Sequence, residues 1–204
     1  MIKILFATTN KNKLSEIREI MTGVDCEIIS LSEAGIDSQA EETGETFEEN
    51  AEIKAQSCRL PGYITIADDS GLMIDYLDGA PGVYSSRYLG EDTSYEIKNR
   101  HILDEMKDVP DDERGARFVC AMCAVLPDGK LLETKGIIEG RIAYEPAGCG
   151  GFGYDPIFFV PELGMTTAEL SAHEKNLISH RGRALRAMRE LIAKVVEDES
   201  TGNK

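Results

Sequence analysis

Apolar positions along this chain switch between two periods. Ile4 to Ala7 is a short unbroken apolar run, the mark of a buried strand. Leu14, Ile17, Ile20 and Met21 then recur at helical spacing, with Glu16 and Glu19 on the other face. Thr46 followed by Glu49 three residues on has the pattern of a capping box and opens a second helix, which Leu60-Pro61-Gly62 stops. Ile64 to Ala67 reads as a strand, Asp68 to Gly71 as a polar turn, and Leu72 to Leu77 as a further strand ending at Asp78-Gly79. Helical spacing returns from Thr93 to Met106, and a charged loop covers Val109 to Gly115. Strands at Phe118 to Leu126 and Leu131 to Ile138 flank Pro127-Asp128-Gly129, a hairpin signal. After a glycine cluster come a strand at Ile157 to Val160 and a last helix carrying Leu185, Met188, Leu191, Ile192 and Val195. Helices and strands alternate with at least one hairpin, which predicts an α/β fold with a mixed central sheet and flanking helices. One domain over residues 1–204 is expected, in two lobes, with the cleft between them as the natural ligand site.

Charge narrows the partners. Lys and Arg number 22 against 37 Asp and Glu, for a net charge of −15. Such a surface repels a duplex nucleic acid, whose phosphates need a basic face. The excess is uneven. Six basic residues (Lys175, Arg181, Arg183, Arg186, Arg189, Lys194) stand against Glu174 and Glu190 between Ser171 and Lys194, a local charge of +4 that leaves −19 elsewhere. A small anion bound locally, with a divalent cation elsewhere, fits that distribution. No apolar stretch is long enough for a membrane span, and the start is too short for a signal peptide. Five cysteines, an odd number in a chain of this size, point to a reduced, cytoplasmic protein. Cys120 and Cys123 have C-x-x-C spacing but fall on a strand, where residues three apart face opposite ways. They read as core residues rather than metal ligands.

Five segments carry candidate chemistry. Thr8, Thr9, Asn10, Lys11, Asn12 and Lys13 join the first strand to the first helix. Amide N–H groups at a helix start, hydroxyls and two lysines suit a phosphate, although the glycines of a P-loop are missing. A capped, solvated turn is the alternative there. Asp68 and Asp69 are adjacent carboxylates before Ser70-Gly71. Such oxygens suit Mg²⁺ and can orient or deprotonate water, while an Asx-rich turn is the plainer reading. In the acidic run Glu41 to Glu45, Glu48 and Glu49 belong to a first helical turn, whereas Glu41 and Glu42 precede it and one is a candidate metal ligand. Asn50 and Lys54 share a helix face with Thr46, and Lys54 suits a phosphate. Gly148 to Asp155 contains four glycines, permitting close backbone approach to a ligand; Phe152 and Tyr154 can stack on a base, and Asp155 can accept from its edge or fix the loop. Finally His180-Arg181, placed just before the last helix, with Lys175 upstream, form another anion site, while Arg183, Arg186 and Arg189 read as a solvated face.

Together these segments resemble the inosine triphosphate pyrophosphatase family, the dITP/XTP pyrophosphatases. The resemblance runs in order through Thr8 to Lys13, Glu41 to Gly44, Thr46-Phe47, Glu49-Asn50, Lys54 and Ala67 to Leu72. It continues through Gly79 to Gly82, Ser86 to Tyr88, Gly150 to Phe158 and Ser179 to Gly182, covering nearly the whole chain. It implies an elongated two-lobed subunit in a homodimer, and Mg²⁺-assisted hydrolysis of ITP, dITP and XTP to the nucleoside monophosphate and pyrophosphate, which cleanses the nucleotide pool. By motif position it implies Glu41 and Asp69 as metal ligands and Asp69 as proton acceptor. Thr8 to Lys13, Lys54, Ser70, Lys175, His180 and Arg181 are implied as substrate contacts, and Phe152, Gly153, Tyr154 and Asp155 as the segment against base and sugar. A pyrophosphatase for modified pyrimidines or methylated bases, and a nucleotide sensor without turnover, are the competing readings.

Overall fold

The computed structural model describes residues 2–37 and 40–201. Its strands and helices follow the alternation expected from the sequence. They run β1 (Ile2–Phe6), α1 (Lys11–Ile20), β2 (Cys26–Ser30), α2 (Phe47–Ser57), β3 (Ile64–Ile74), α3 (Tyr95–Glu105), β4 (Gly115–Val125), β5 (Leu131–Ile142), β6 (Phe158–Val160), β7 (Met165–Thr166), α4 (Ala172–Ile178) and α5 (His180–Thr201). One sheet has the order β2-β1-β3-β4-β5-β6-β7. It is mixed as expected: β1 pairs parallel with β2 and β3, whereas β5–β6 and β6–β7 are antiparallel. Among the described residues no helix is long and apolar enough to cross a membrane.

The chain divides into two compact units, each with its own core. The first comprises residues 1–69, 120–136 and 181–204; the second comprises 70–119 and 137–180. In the first, strand alternation sets the layers. Ile64 and Ile66 of β3, with Cys120, Met122 and Ala124 of β4, face Ile17 of α1, Met21 just beyond its end, and Ala184, Leu185, Met188 and Ile192 from α5. Cys120 lies in this layer, and Cys123, three residues on, is buried outside it, as strand geometry requires. In the second unit Leu72, Ile74, Phe118, Ile138, Ile142 and Phe158 pack with Ile102 of α3 and Met106 just beyond its end.

The strand expected over Leu72 to Leu77 stops at Ile74, with a 3-10 turn over Asp75–Leu77, and two expectations at the site give way. Asp68 to Gly71 is not a turn: β3 runs unbroken from Ile64 to Ile74, with both aspartates buried in mid-strand. The reason is pairing, because each carboxylate meets a cation from a helix and so needs no water. His180 and Arg181 do not precede the last helix but begin it, directly after α4, whose N-terminus carries a capping box of Ser171 and Glu174. The capping box of Thr46 and Glu49 stands as expected, as does the turn after β4, closed by the Leu126 N–H on the Lys130 carbonyl at 2.9 Å.

Candidate active site

Alternation along β3 turns Asp68 and Asp69 to opposite sides. Asp68 continues the face of Ile64 and Ile66, toward α1 and α5. Lys13 of α1 donates to its Oδ2 at 2.9 Å and Arg181 of α5 donates through Nε at 3.4 Å. Arg181 also donates through Nη1 to Glu16 at 2.6 Å, so a buried guanidinium joins two carboxylates. Burial works against the Asp68 anion, but Lys13, Arg181 and Lys54 outweigh it and hold the carboxyl far below the usual carboxylate range. Burial likewise disfavours the Arg181 cation, and Asp68 and Glu16 more than restore it.

Asp69 has a different surround. Lys54 of α2 donates to its Oδ1 at 2.8 Å, and the side-chain amide of Asn50 reaches Oδ2 at 3.4 Å. Burial is the largest influence and prevails over Lys54, so the Asp69 carboxyl sits above its ordinary value, with Glu42 adding to the rise. Lys54 is shared: it donates to Glu42 Oε1 at 3.0 Å. Burial lowers its affinity for a proton, and Asp69, Asp68 and Glu42 carry it back above the usual lysine value. Neighbouring carboxylates driven in opposite directions are the pattern of one anchored anion and one proton acceptor.

The loop before α1 is built as its sequence suggested. Asn10 caps the helix, its Oδ1 accepting from the N–H groups of Asn12 and Lys13 at 2.9 and 3.2 Å, and Thr8 Oγ1 accepts from the Asn10 N–H at 3.1 Å. Thr9, Asn10, Lys11 and Asn12 are exposed, and the first turn holds no acidic residue. Ser70 follows Asp69 on β3 and is half-buried. Glu41 is exposed; its neighbour Glu42 is the one turned onto Lys54.

In the second unit, the glycine-rich segment is gathered around Asp155. Its Oδ2 accepts from Lys175 Nζ at 2.6 Å and from the Phe152 N–H at 2.7 Å, and its Oδ1 accepts from Thr167 Oγ1 at 2.8 Å. Gly151, at φ +67°, lies so close to this carboxylate that a Cβ would stand 2.2 Å from Oδ2, so the position demands glycine on both counts. The Lys175 ammonium also lies over the Phe152 ring, 4.6 Å from its centre. Tyr154 is buried, donates to the Ser85 carbonyl at 2.8 Å and meets Tyr95 edge-on. Asn99 donates to the Gly153 carbonyl at 3.1 Å. The His180 ring stacks on Phe118 with centres 4.8 Å apart.

Among the described residues no three His, Cys, Asp or Glu groups converge as a closed metal cage. A divalent cation such as Mg²⁺ takes as few as one or two protein carboxylates and fills its shell with water and substrate phosphate, so Asp69 with one carboxylate of the acidic loop could hold it without such a cage. The sequence placed Asn50 on the helix face of Lys54 but did not show its bond to Asp69, and Thr167 was missed altogether. Thr167 carried no local signal, since its partner lies 12 residues away across a loop.

Residues 4–191 match the profile of the Ham1 family. The chain is 47% identical over 197 residues to a dITP/XTP pyrophosphatase of Clostridium perfringens, covering 93% of this chain and 97% of that protein. It is 48% identical over 191 residues to one of Escherichia coli O157:H7, covering 92% and 96%. Among solved structures, a HAM1 protein from Coxiella burnetii superposes with a TM-score of 0.86 at 40% identity, over 95% of this chain and all of the other. A nucleoside-triphosphatase / dITP/XTP pyrophosphatase from Mycobacterium abscessus gives 0.71 at 42% identity, over 92% and 98%.

Proposed function

This chain belongs to the Ham1 family, and we propose that it hydrolyses ITP, dITP and XTP to the nucleoside monophosphate and pyrophosphate, removing deaminated purines from the nucleotide pool. The observation that carries the reading is the unequal pairing of Asp68 and Asp69: one carboxylate is tied to both Lys13 and Arg181, which lower its pKa, and its neighbour meets Lys54 while burial raises its pKa.

Water attacking the α-phosphorus must lose a proton, and negative charge then grows on the phosphoryl oxygens and the departing pyrophosphate. Asp69 is the acceptor for that proton. Lys54, resting on Asp69 and Glu42, is the ammonium nearest to it and serves the growing charge. The side chains of Thr8 to Lys13 take phosphate oxygens, the N–H groups of Asn12 and Lys13 being held by the Asn10 cap. Catalysis of this kind is positioning and electrostatics, and the ion pairs supply the positioning. Asp69 and Glu41 would hold Mg²⁺, which when bound withdraws charge from phosphate oxygens. Ser70, His180 and the segment Phe152, Gly153 and Tyr154 serve the rest of the nucleotide, with Lys175 and Asp155 shaping that segment and Arg181 acting through the ion pairs that hold it. Deaminated purines offer a 6-oxo acceptor where ATP offers an amine, and donors left unpaired by ATP reject it. Family resemblance supports a homodimer, and the free thiols of Cys26, Cys58, Cys120, Cys123 and Cys149 suit the reducing cytoplasm.

The test is product analysis of ITP, XTP, GTP and ATP incubated with the protein and Mg²⁺, with an EDTA control. IMP or XMP plus pyrophosphate is expected, with GTP and ATP nearly untouched and no product in EDTA. Orthophosphate plus a nucleoside diphosphate would place the attack on the γ-phosphorus and overturn the reading.

A further inference from the structure

Asn50 is wholly buried near the start of α2, and every hydrogen-bonding atom of its side chain is engaged. The Gly44 N–H donates to its Oδ1 at 2.8 Å; its Nδ2 donates to the Gly44 carbonyl at 3.3 Å and to Asp69 Oδ2 at 3.4 Å. These contacts fix the amide's orientation. Reversed, the NH₂ group would meet the Gly44 N–H and the oxygen would meet a carboxylate, both repulsive. The amide has two N–H bonds, and each has one acceptor, one on the loop and one on Asp69.

The loop side is held as tightly. A Cβ on Gly44 would lie 2.7 Å from Glu49 Cβ and 2.8 Å from Asn50 Oδ1, so the backbone approaches α2 as only glycine permits. Glu49 completes the fastening by accepting the N–H groups of Glu45 and Thr46 at 2.7 and 3.2 Å. One side chain therefore ties the acidic loop that carries Glu41 and Glu42 to the second oxygen of Asp69, whose first oxygen is already taken by Lys54. With both oxygens held, the carboxylate plane is set.

We propose that Asn50 is a positioning residue for the pyrophosphatase reaction: it orients the Asp69 carboxylate and locks the acidic loop to it, touching no substrate itself. The proposal rests on the function assigned above to Asp69.

Asn50→Leu keeps the shape and removes all three bonds. The expected result is a fall in kcat for ITP of about ten- to hundredfold, the usual loss when a partner behind a reacting group is removed, with KM within about twofold of wild type. Calorimetric binding of a dITP analogue with a non-hydrolysable α,β bridge should be unchanged, and amide hydrogen exchange at Gly44 should quicken. The decisive comparison is a double-mutant cycle under single-turnover conditions. In an Asp69→Asn background, Asn50→Leu should change residual turnover by less than about twofold. An equal loss in both backgrounds, or a rise in KM with kcat intact, overturns the proposal. If Asn50→Leu shows no cooperative melt, Gly44→Ala, which disturbs the same clamp from the loop side, enters the cycle with the same criteria. Wild-type turnover in Asp69→Asn would instead sink the assignment of Asp69 itself.

Discussion

Each unit buries a carboxylate against a lysine, yet the two arrangements do different work. Asp155 of the second unit is saturated: an ammonium, a backbone N–H and a hydroxyl all donate to it, at 2.6–2.8 Å. It is a knot that gives the glycine-rich segment one shape. The first unit places two carboxylates side by side and treats them unequally. Asp68 receives a lysine and an arginine, whereas Asp69 receives one lysine, which it shares with Glu42, and one long amide contact. Burial and charge pairing alone do not mark a reactive group. On the function proposed above, the reactive carboxylate is Asp69, the one whose donors fall short of its burial.

That comparison can be broken by removing donors. The largest effect on stability is expected from Arg181→Met, which takes a buried cation from buried Asp68 and half-buried Glu16. Uncompensated buried charge costs about 3–5 kcal/mol, to be read from urea unfolding. A loss under about 1 kcal/mol would mean that Lys13 alone holds Asp68.

A smaller, pH-dependent effect sharpens the Asp68 side. Its carboxyl has a folded pKa below that of the unfolded chain, so between the two values the unfolded state binds the extra proton and stability rises with pH. The stabilisation is full above the ordinary Asp value of about 3.9 and is lost as the pH falls toward the depressed folded value. Melting temperatures of wild type and Asp68→Asn should therefore converge as the pH drops below about 4. A constant gap would remove the ionised carboxylate from the account.

In the second unit, Thr167→Val deletes one charge-assisted hydrogen bond on Asp155. The expected loss is about 1.5–3 kcal/mol in urea unfolding. An unaffected midpoint would show that Lys175 and the Phe152 N–H suffice to hold the knot.

Much of this architecture was legible locally. Thr46 and Glu49, Leu14 to Met21, and Pro127 to Gly129 announce a cap, a helix face and a hairpin through contacts a few residues apart. The candidate site was legible as residue types at motif positions but not as pairs. Lys13 and Asp68 are 55 positions apart and Arg181 and Asp68 are 113, so nothing in the local pattern says that Asp68 meets two cations while Asp69 meets Lys54, which it shares with Glu42. For the same reason Asp68 to Gly71 read as a turn: two adjacent aspartates belong in water unless distant helices bring them counter-charges. Strands β2 and β7 and the helix α4 went unpredicted: Glu27 and Ser30 leave β2 only a two-residue apolar run, β7 is two residues long, and the seven residues of α4 show no clear apolar period.

The central claim is that Asp69, and not the better-paired Asp68, takes the proton. It is tested most directly by ITP turnover in Asp69→Asn, measured beside the variant's melting temperature and its calorimetric affinity for the α,β-bridged dITP analogue. The account predicts a folded protein that binds the analogue and has lost about 10²–10⁴-fold in turnover, the contribution of a general base. Near-wild-type turnover in that variant would contradict it.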